Sequence, residues 1–159
     1  MSEVDEALKR LTRFLDKHGL KSTSQRRLIT RIFFDERFRQ DHPSVEDLYV
    51  RVHAEDGRVG YATIYRTLKL LVDAGLASPS RLTDNQTRYE PDIPGEHHDH
   101  LVCTACGAIL EFEEDGIEVL QEAVAQRLGF RLADHRMVLY GAPDDPCRAP
   151  ACPREAVVR

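Results

Sequence analysis

The chain has 159 residues, 42% of them hydrophobic and 31% charged, a balance that excludes a disordered polymer and suits one ordinary domain or two small ones. No apolar stretch approaches the ~20 residues of a membrane span, and the acidic start MSEVDEALKR lacks the basic and apolar runs of a signal peptide, so no membrane partner and a cytoplasmic location are expected. The net charge of −5 hides an asymmetry: residues 1–90 carry 16 Lys/Arg against 14 Asp/Glu, residues 91–159 carry 6 against 13, and residues 9–39 alone hold 10 basic and 3 acidic side chains.

Residues 4–18 repeat apolar positions at Val4, Leu8, Leu11 and Leu15, which predicts a helix ended by Gly19. Thr23 or Ser24 can cap a second helix with Leu28, Ile29, Ile32 and Phe33 on its apolar face. Pro43 and Ser44 open a third, with an acid three residues after the serine as in a capping box. Residues 61–74 predict a fourth, stopped by Gly75. At 100° per residue Ile64, Leu68 and Leu71 share one face of it, while Ala62, Tyr65, Arg66 and Lys69 lie on the other. A small residue, an aromatic and two cations on an open helical face suit a DNA major groove. The acidic total does not exclude nucleic acid, because phosphate contacts follow local charge, although a solvated helix face is the favoured reading of the basic run on charge alone.

Two strand-like runs follow, Leu76 to Leu82 and Thr87 to Glu90, with turn residues 83–86 between them. Helices followed by a hairpin is the order of a winged helix-turn-helix. The expected class is α+β: a winged-helix domain over residues 1–90, a hinge at 91–96 (P-D-I-P-G-E), and a small α/β domain over 97–159. That second half predicts strands at 97–102 and 108–113, a helix at 115–128 with Ile117, Leu120, Val124 and Leu128 apolar, and a strand at 130–140. It is small enough to gain from pairing with a second copy.

Four cysteines carry the strongest chemical signal. Cys103 and Cys106 are spaced C-x2-C, and Cys147 and Cys152 are spaced C-x4-C. In a reducing compartment two close pairs favour one tetrahedral structural zinc site of four thiolates. Just before them stand His97, His98, Asp99 and His100. On a strand, successive side chains alternate faces, so His98 and His100 point one way and His97 and Asp99 the other, which implies two further sites. Imidazole with carboxylate suits Fe(II), Mn(II) or Zn(II) rather than Cu(I). Glu111, Glu113, Glu118 and His135 are further candidate ligands.

The stretches H-P-S-V-E-D-L-Y (42–49), Y-A-T-I-Y-R-T-L (61–68), H-H-D-H-L-V-C-T-A-C-G (97–107), E-F-E-E-D-G-I-E (111–118) and the terminal C-x4-C resemble the ferric uptake regulator family in order and spacing, along nearly the whole chain. The resemblance implies a metal-dependent transcriptional repressor that binds double-stranded operator DNA of palindromic form as a homodimer, with higher oligomers left open. It assigns structural Zn(II) to Cys103, Cys106, Cys147 and Cys152. It assigns a sensory metal, Fe(II) with Zn(II) or Mn(II) able to substitute, to His42, Glu90, His98, His100 and Glu111. An additional site falls to His97, Asp99, Glu118 and His135. Tyr65 and Arg66 would meet DNA, and Lys21 would lie near the minor groove or backbone.

Zinc, manganese, nickel and peroxide sensors share much of this pattern; peroxide sensors typically have aspartate where this chain has Glu111, so the resemblance leans towards iron. A dizinc hydrolase of the His-x-His-x-Asp-His type is a different class, but its first histidine would fall on Gly95. The chain also offers enough ligands to close its sites, whereas catalysis needs an open position, so no enzyme is expected. A metal-storage module would not need the face carrying Tyr65, Arg66 and Lys69.

Overall fold

The structure, a computed structural model, describes residues 2–39, 42–81, 86–95 and 97–143. The chain divides into two compact units, Met1–Glu96 and His97–Arg159.

The first unit runs α1 (Glu3–Lys17), α2 (Ser24–Phe33), α3 (Glu36–Arg39), α4 (Val45–Glu55), α5 (Tyr61–Asp73), β1 (Ala77–Ser80) and β2 (Arg88–Pro91). Side-chain oxygens start three of its helices. Ser2 and Asp5 close a capping box on α1, Thr23 accepts from the Arg26 N–H at α2, and Ser44 with Asp47 closes a second box on α4. Gly75 ends α5 at φ +64°, and there the Leu76 N–H reaches back to the Leu71 carbonyl at 2.8 Å.

The apolar rows of four helices meet in one core. Leu11, Leu15, Ile29, Phe33, Leu48, Val52, Ile64, Leu68 and Leu71 are each at most 1% exposed. Full burial of one such side chain is worth ~1.5–3 kcal/mol, so these rows decide how the helices pack. The short α3 had no signal in the sequence pattern; its Phe38 packs partly buried against the core. β1 and β2 form an antiparallel wing in the register Ser78↔Glu90. The helix pair α4–α5 followed by this wing is a winged helix-turn-helix.

The second unit runs β3 (Asp99–Cys103), β4 (Ile109–Phe112), α6 (Asp115–Arg127) and β5 (Val138–Gly141). β3 is the central strand, antiparallel to β4 and parallel to β5, with α6 as the crossover. Two strands are shorter than their sequence patterns predict. β3 begins at Asp99 rather than residue 97, and the strand expected over 130–140 is confined to 138–141. Each ends where its pairing ends: β5 pairs only with His100 to Cys103 of β3, while β4 reaches one residue further, to Asp99 opposite Phe112. On the β5 side the ladder opens where the His100 N–H meets the Met137 carbonyl at 3.2 Å. α6 buries no residue within the described chain, and Val119, Leu120 and Leu128 are more than 60% exposed. No described helix is long and apolar enough to cross a membrane.

Candidate metal centres and nucleic-acid face

One complete ligand box lies within the second unit. His97 precedes β3, Asp99 begins it, Glu118 sits on the first turns of α6, and His135 precedes β5. One ligand atom from each lies within 4.8 Å of the others. His97 Nε2 and His135 Nε2 approach Glu118 Oε1 at 3.1 and 3.2 Å, and both stand 3.9 Å from Asp99 Oδ1. Burial makes the arrangement informative. Asp99 is 2% exposed, and its Oδ1, like His135 Nε2, is buried with no hydrogen-bond partner. The His135–Glu118 approach is close but lacks hydrogen-bond geometry, so these atoms aim at a shared centre more than at one another. A buried carboxylate without a donor is costly. Two imidazoles and two carboxylates fit a divalent ion of borderline hardness, which would offset that cost.

Strand alternation separates the next residue from this box. His100 faces His98, their ring centroids 5.1 Å apart and nearly perpendicular, and it pairs across the ladder with Glu111. His98 Nε2 lies 3.6 Å from Glu111 Oε1. Glu113 is exposed beyond the end of β4 and joins neither group.

The other two residues assigned to the sensory metal belong to the first unit. His42 Nε2 stands 3.5 Å from Glu90 Oε2, and His42 is 1% exposed. His42 is also the one non-glycine residue at positive φ among the described residues, at +46°. That left-handed conformation costs an ordinary side chain about 1–2 kcal/mol and implies a local constraint. The constraint is visible: Arg88 Nη1 donates to the His42 carbonyl at 3.0 Å and lies 3.7 Å from Asp47 of the α4 capping box, while the Tyr89 N–H donates to the Pro43 carbonyl at 2.9 Å. Arg88 therefore ties the His42 loop to both β2 and the start of α4. Sequence reading missed it, and the available signal was an arginine two residues before Glu90 on the same strand.

Cys103 is buried at the end of β3, and Cys106 lies in the turn after it. The turn closes when the Gly107 N–H meets the Cys103 carbonyl at 2.8 Å, with Gly107 at φ +74°. This backbone presents two sulfurs from one tight turn, as a zinc knuckle needs. Cys147 and Cys152 lie outside the described residues.

On α5, Ala62, Tyr65, Arg66 and Lys69 are all exposed while Ile64, Leu68 and Leu71 are buried. Lys21 is exposed between α1 and α2, its carbonyl held by the Arg26 guanidinium. A second positioning network went unread in the sequence. The Tyr61 hydroxyl, at the start of α5, donates to Glu46 at 2.7 Å, and Gln86 from the wing donates to the same carboxylate at 3.1 Å. The tyrosine hydroxyl, with backbone and glutamine donors, holds Glu46 below the usual carboxylate range, and the same bond pushes the Tyr61 hydroxyl up. Glu46, on α4, thereby joins the start of α5 to the wing.

The ferric uptake regulator family matches residues 17–140. The chain is 44% identical to a ferric uptake regulation protein of Rhizobium leguminosarum bv. viciae over 140 residues, covering 88% of this chain and 96% of that one. Its fold is similar to that of the Helicobacter pylori ferric uptake regulator, a structure with three functional metal-binding sites (TM-score 0.81, 26% identity, 94% of this chain and 97% of that one). It is also similar to a zinc-bound manganese uptake regulator (TM-score 0.63, 44% identity, 84% and 98%).

Proposed function

The chain belongs to the ferric uptake regulator family, and on that premise we propose that it is a cytoplasmic repressor which, as a metallated homodimer, binds palindromic operator DNA in response to iron. The observation that carries the reading is the pair His42 and Glu90, metal-ligand types 3.5 Å apart on the same unit that exposes Tyr65 and Arg66. Regulation by a metal requires donors anchored to the DNA-binding unit, and a purely structural site in the other unit would not need them.

When bound, a divalent ion supplies the charge that allows His42, Glu90, His98, His100 and Glu111 to act as one ligand set, as the family resemblance assigns them. Every other part of the device is made of this chain's residues. His42 and Glu90 commit the winged-helix unit, and His98, His100 and Glu111 commit the second unit. Arg88 carries the constraint on His42 to Asp47 and so to α4, whose partner in the helix-turn-helix is α5. Metal affinity and DNA affinity are then coupled, each raising the other by the same factor. Residues 91–96 serve as the hinge between a DNA-binding domain (1–90) and a dimerisation domain (97–159).

The remaining assignments have separate supports. Structural zinc at Cys103, Cys106, Cys147 and Cys152 is supported by the knuckle turn at the first pair and by the spacing of the second. The box of His97, Asp99, Glu118 and His135 is supported as an additional metal site by its two buried ligand atoms that lack a hydrogen bond, Asp99 Oδ1 and His135 Nε2. A homodimer is supported by the apolar residues left exposed on α6 and β5, including Leu120 at 64% and Tyr140 at 61%. Iron is supported by the ferric relative and by Glu111, while the equal identity to a manganese uptake regulator makes manganese the second reading.

The test measures operator binding by fluorescence anisotropy with Fe(II), Mn(II) or Zn(II), beside the metal content of protein from cells grown in defined metals. Tyr65→Ala is expected to weaken DNA binding and keep metal uptake. His98→Ala is expected to leave a metal-independent residual affinity. Full metal-dependent binding by the His98 variant would sink the sensory assignment.

A further inference from the structure

We propose that a basic cleft between α1 and α2 is a second DNA-contact surface, which takes backbone phosphates flanking the bases met by α5. The inference rests on the DNA-binding reading above, which uses the basic run of residues 9–39 only at Lys21.

Two adjoining clefts of about 530 and 620 Å³ open there, and both are lined by Leu8 and Arg27. Lys9 and Arg13 line the first, and Arg31 lines the second. Lys9 with Arg13, and Arg27 with Arg31, are i, i+4 pairs, so each pair stacks like charges on one face of its own helix. Such pairs destabilise a helix unless an anion offsets them.

The one carboxylate that lines the clefts and the one that reaches Arg31 are already engaged. Asp5 lines the first cleft, but its carboxylate accepts from the Ser2 N–H and hydroxyl at the α1 cap. Glu55 pairs with Arg31. The side chains of Arg13 and Arg27 make no ion pair or hydrogen bond among the described residues. Three other arginines of the unit are committed: Arg10 bonds the Gly75 and Asp92 carbonyls, Arg26 the Lys21 carbonyl, and Arg58 Asp56. Two exposed, uncommitted guanidinium groups therefore face one groove.

The groove suits a sugar–phosphate backbone. Leu8 and Leu28 supply apolar wall, while Ser22 and Ser24 add hydroxyl donors beside the cations. Guanidinium forks match phosphate oxygens bidentately. The surface is also fixed relative to the DNA-reading elements. Arg26 bonds the loop of Lys21 to α2, and Ile29 and Phe33 of α2 share a core with Ile64 and Leu68 of α5. With a net charge of −5, the chain has no general attraction for polyanions, so a local stripe must provide any phosphate affinity.

The experiment compares the metal-loaded full chain with an R13Q/R27Q variant, which keeps two polar, similarly long side chains. Operator duplexes recovered by selection from random DNA either end at the half-sites or extend by ~10 base pairs, about one helical turn, on each side. Anisotropy is read from 50 to 200 mM salt. The variant is expected to match wild type on the short duplex and to lose the wild-type gain on the long one. Its slope of log K against log salt should fall by about 0.9 for each phosphate left unneutralised, roughly a 3-fold affinity difference per phosphate across that salt range. Unchanged slope and affinity on the long duplex overturn the inference, as does an equal loss on both lengths. If wild type recovers no duplex in a metal-dependent way, the proposed function itself fails, and the inference with it.

Discussion

Asp99→Asn separates the electrostatic cost of the ligand box from its use. Asp99 is 2% exposed, and its carboxylate shares with Glu118 a box whose ligand atoms lie within 4.8 Å of one another. Two like unit charges at that separation repel by about 3 kcal/mol at an effective dielectric of ~20. Asparagine keeps the shape and removes one charge, so the metal-free variant should melt at the same temperature as wild type or a few degrees higher. A metal at about 100 times its dissociation constant stabilises the native state by ~2.7 kcal/mol. At roughly 2–4 °C per kcal/mol for a chain of this size, that is an increase in Tm of about 5–10 °C, and the variant should lose it. Calorimetry suits the measurement because two units can melt in separate steps. Chelator-treated protein is scanned before and after Mn(II) is added, and bound metal per protomer is counted. One ion fewer per protomer is expected for the variant. An unchanged ion count with the full rise in Tm would refute the box as a metal site, and a metal-free variant that melts about 5 °C or more below wild type would mean that protein donors satisfy Asp99.

Three other substitutions reach different parts of the molecule. Cys103→Ser should lower bound zinc by one ion per protomer and cut thermal stability, since binding energy at a closed thiolate site is folding energy; unchanged zinc content would rule out the four-thiolate assignment. Leu120→Glu sets a charge on the exposed apolar face of α6 and should weaken dimerisation by about 2 kcal/mol or more, roughly 30-fold, as read by analytical ultracentrifugation. An unchanged association constant would exclude that face from the dimer. Asp47→Asn should cost about 1 kcal/mol at neutral pH through the α4 cap. Burial raises the Asp47 carboxyl, but the Ser44 N–H and hydroxyl and then Arg88 outweigh it, so its folded value lies below the ordinary one. Its stabilisation is therefore present above the unfolded value and fades as pH falls through the folded one. The gap between variant and wild type in urea midpoints should close in strong acid, and a constant gap would contradict the cap.

Local signals explain why the helices were legible. Several begin on a side chain that serves their own backbone, Ser44 with Asp47 three residues on and Thr23 before α2, and α5 ends on Gly75, which takes the left-handed conformation without steric cost. Such bonds close within a few residues, so spacing alone reveals them. The ligand types were legible for a related reason, because three histidines and an aspartate in four positions do not arise from packing needs. The short α3 carried no comparable signal, and the length of β5 could not be read because alternation continues through 130–140 whether or not a partner strand is present.

By itself, then, the sequence determined the longer helices, the caps of α2 and α4, the α+β order and the residue types that can hold metal, since all of these depend on period and near-neighbour chemistry. Tertiary structure alone decided which distant residues meet. Glu118 on α6 and His135 before β5 join His97 and Asp99 because the β4–α6–β5 crossover returns the chain parallel to β3. Arg88 holds His42 in a left-handed backbone because the wing folds back on the start of α4. Burial turns the box from a set of surface acids into a candidate centre: Asp99 lost its water when β3 became the middle strand, and no protein donor took the place of that water at Oδ1.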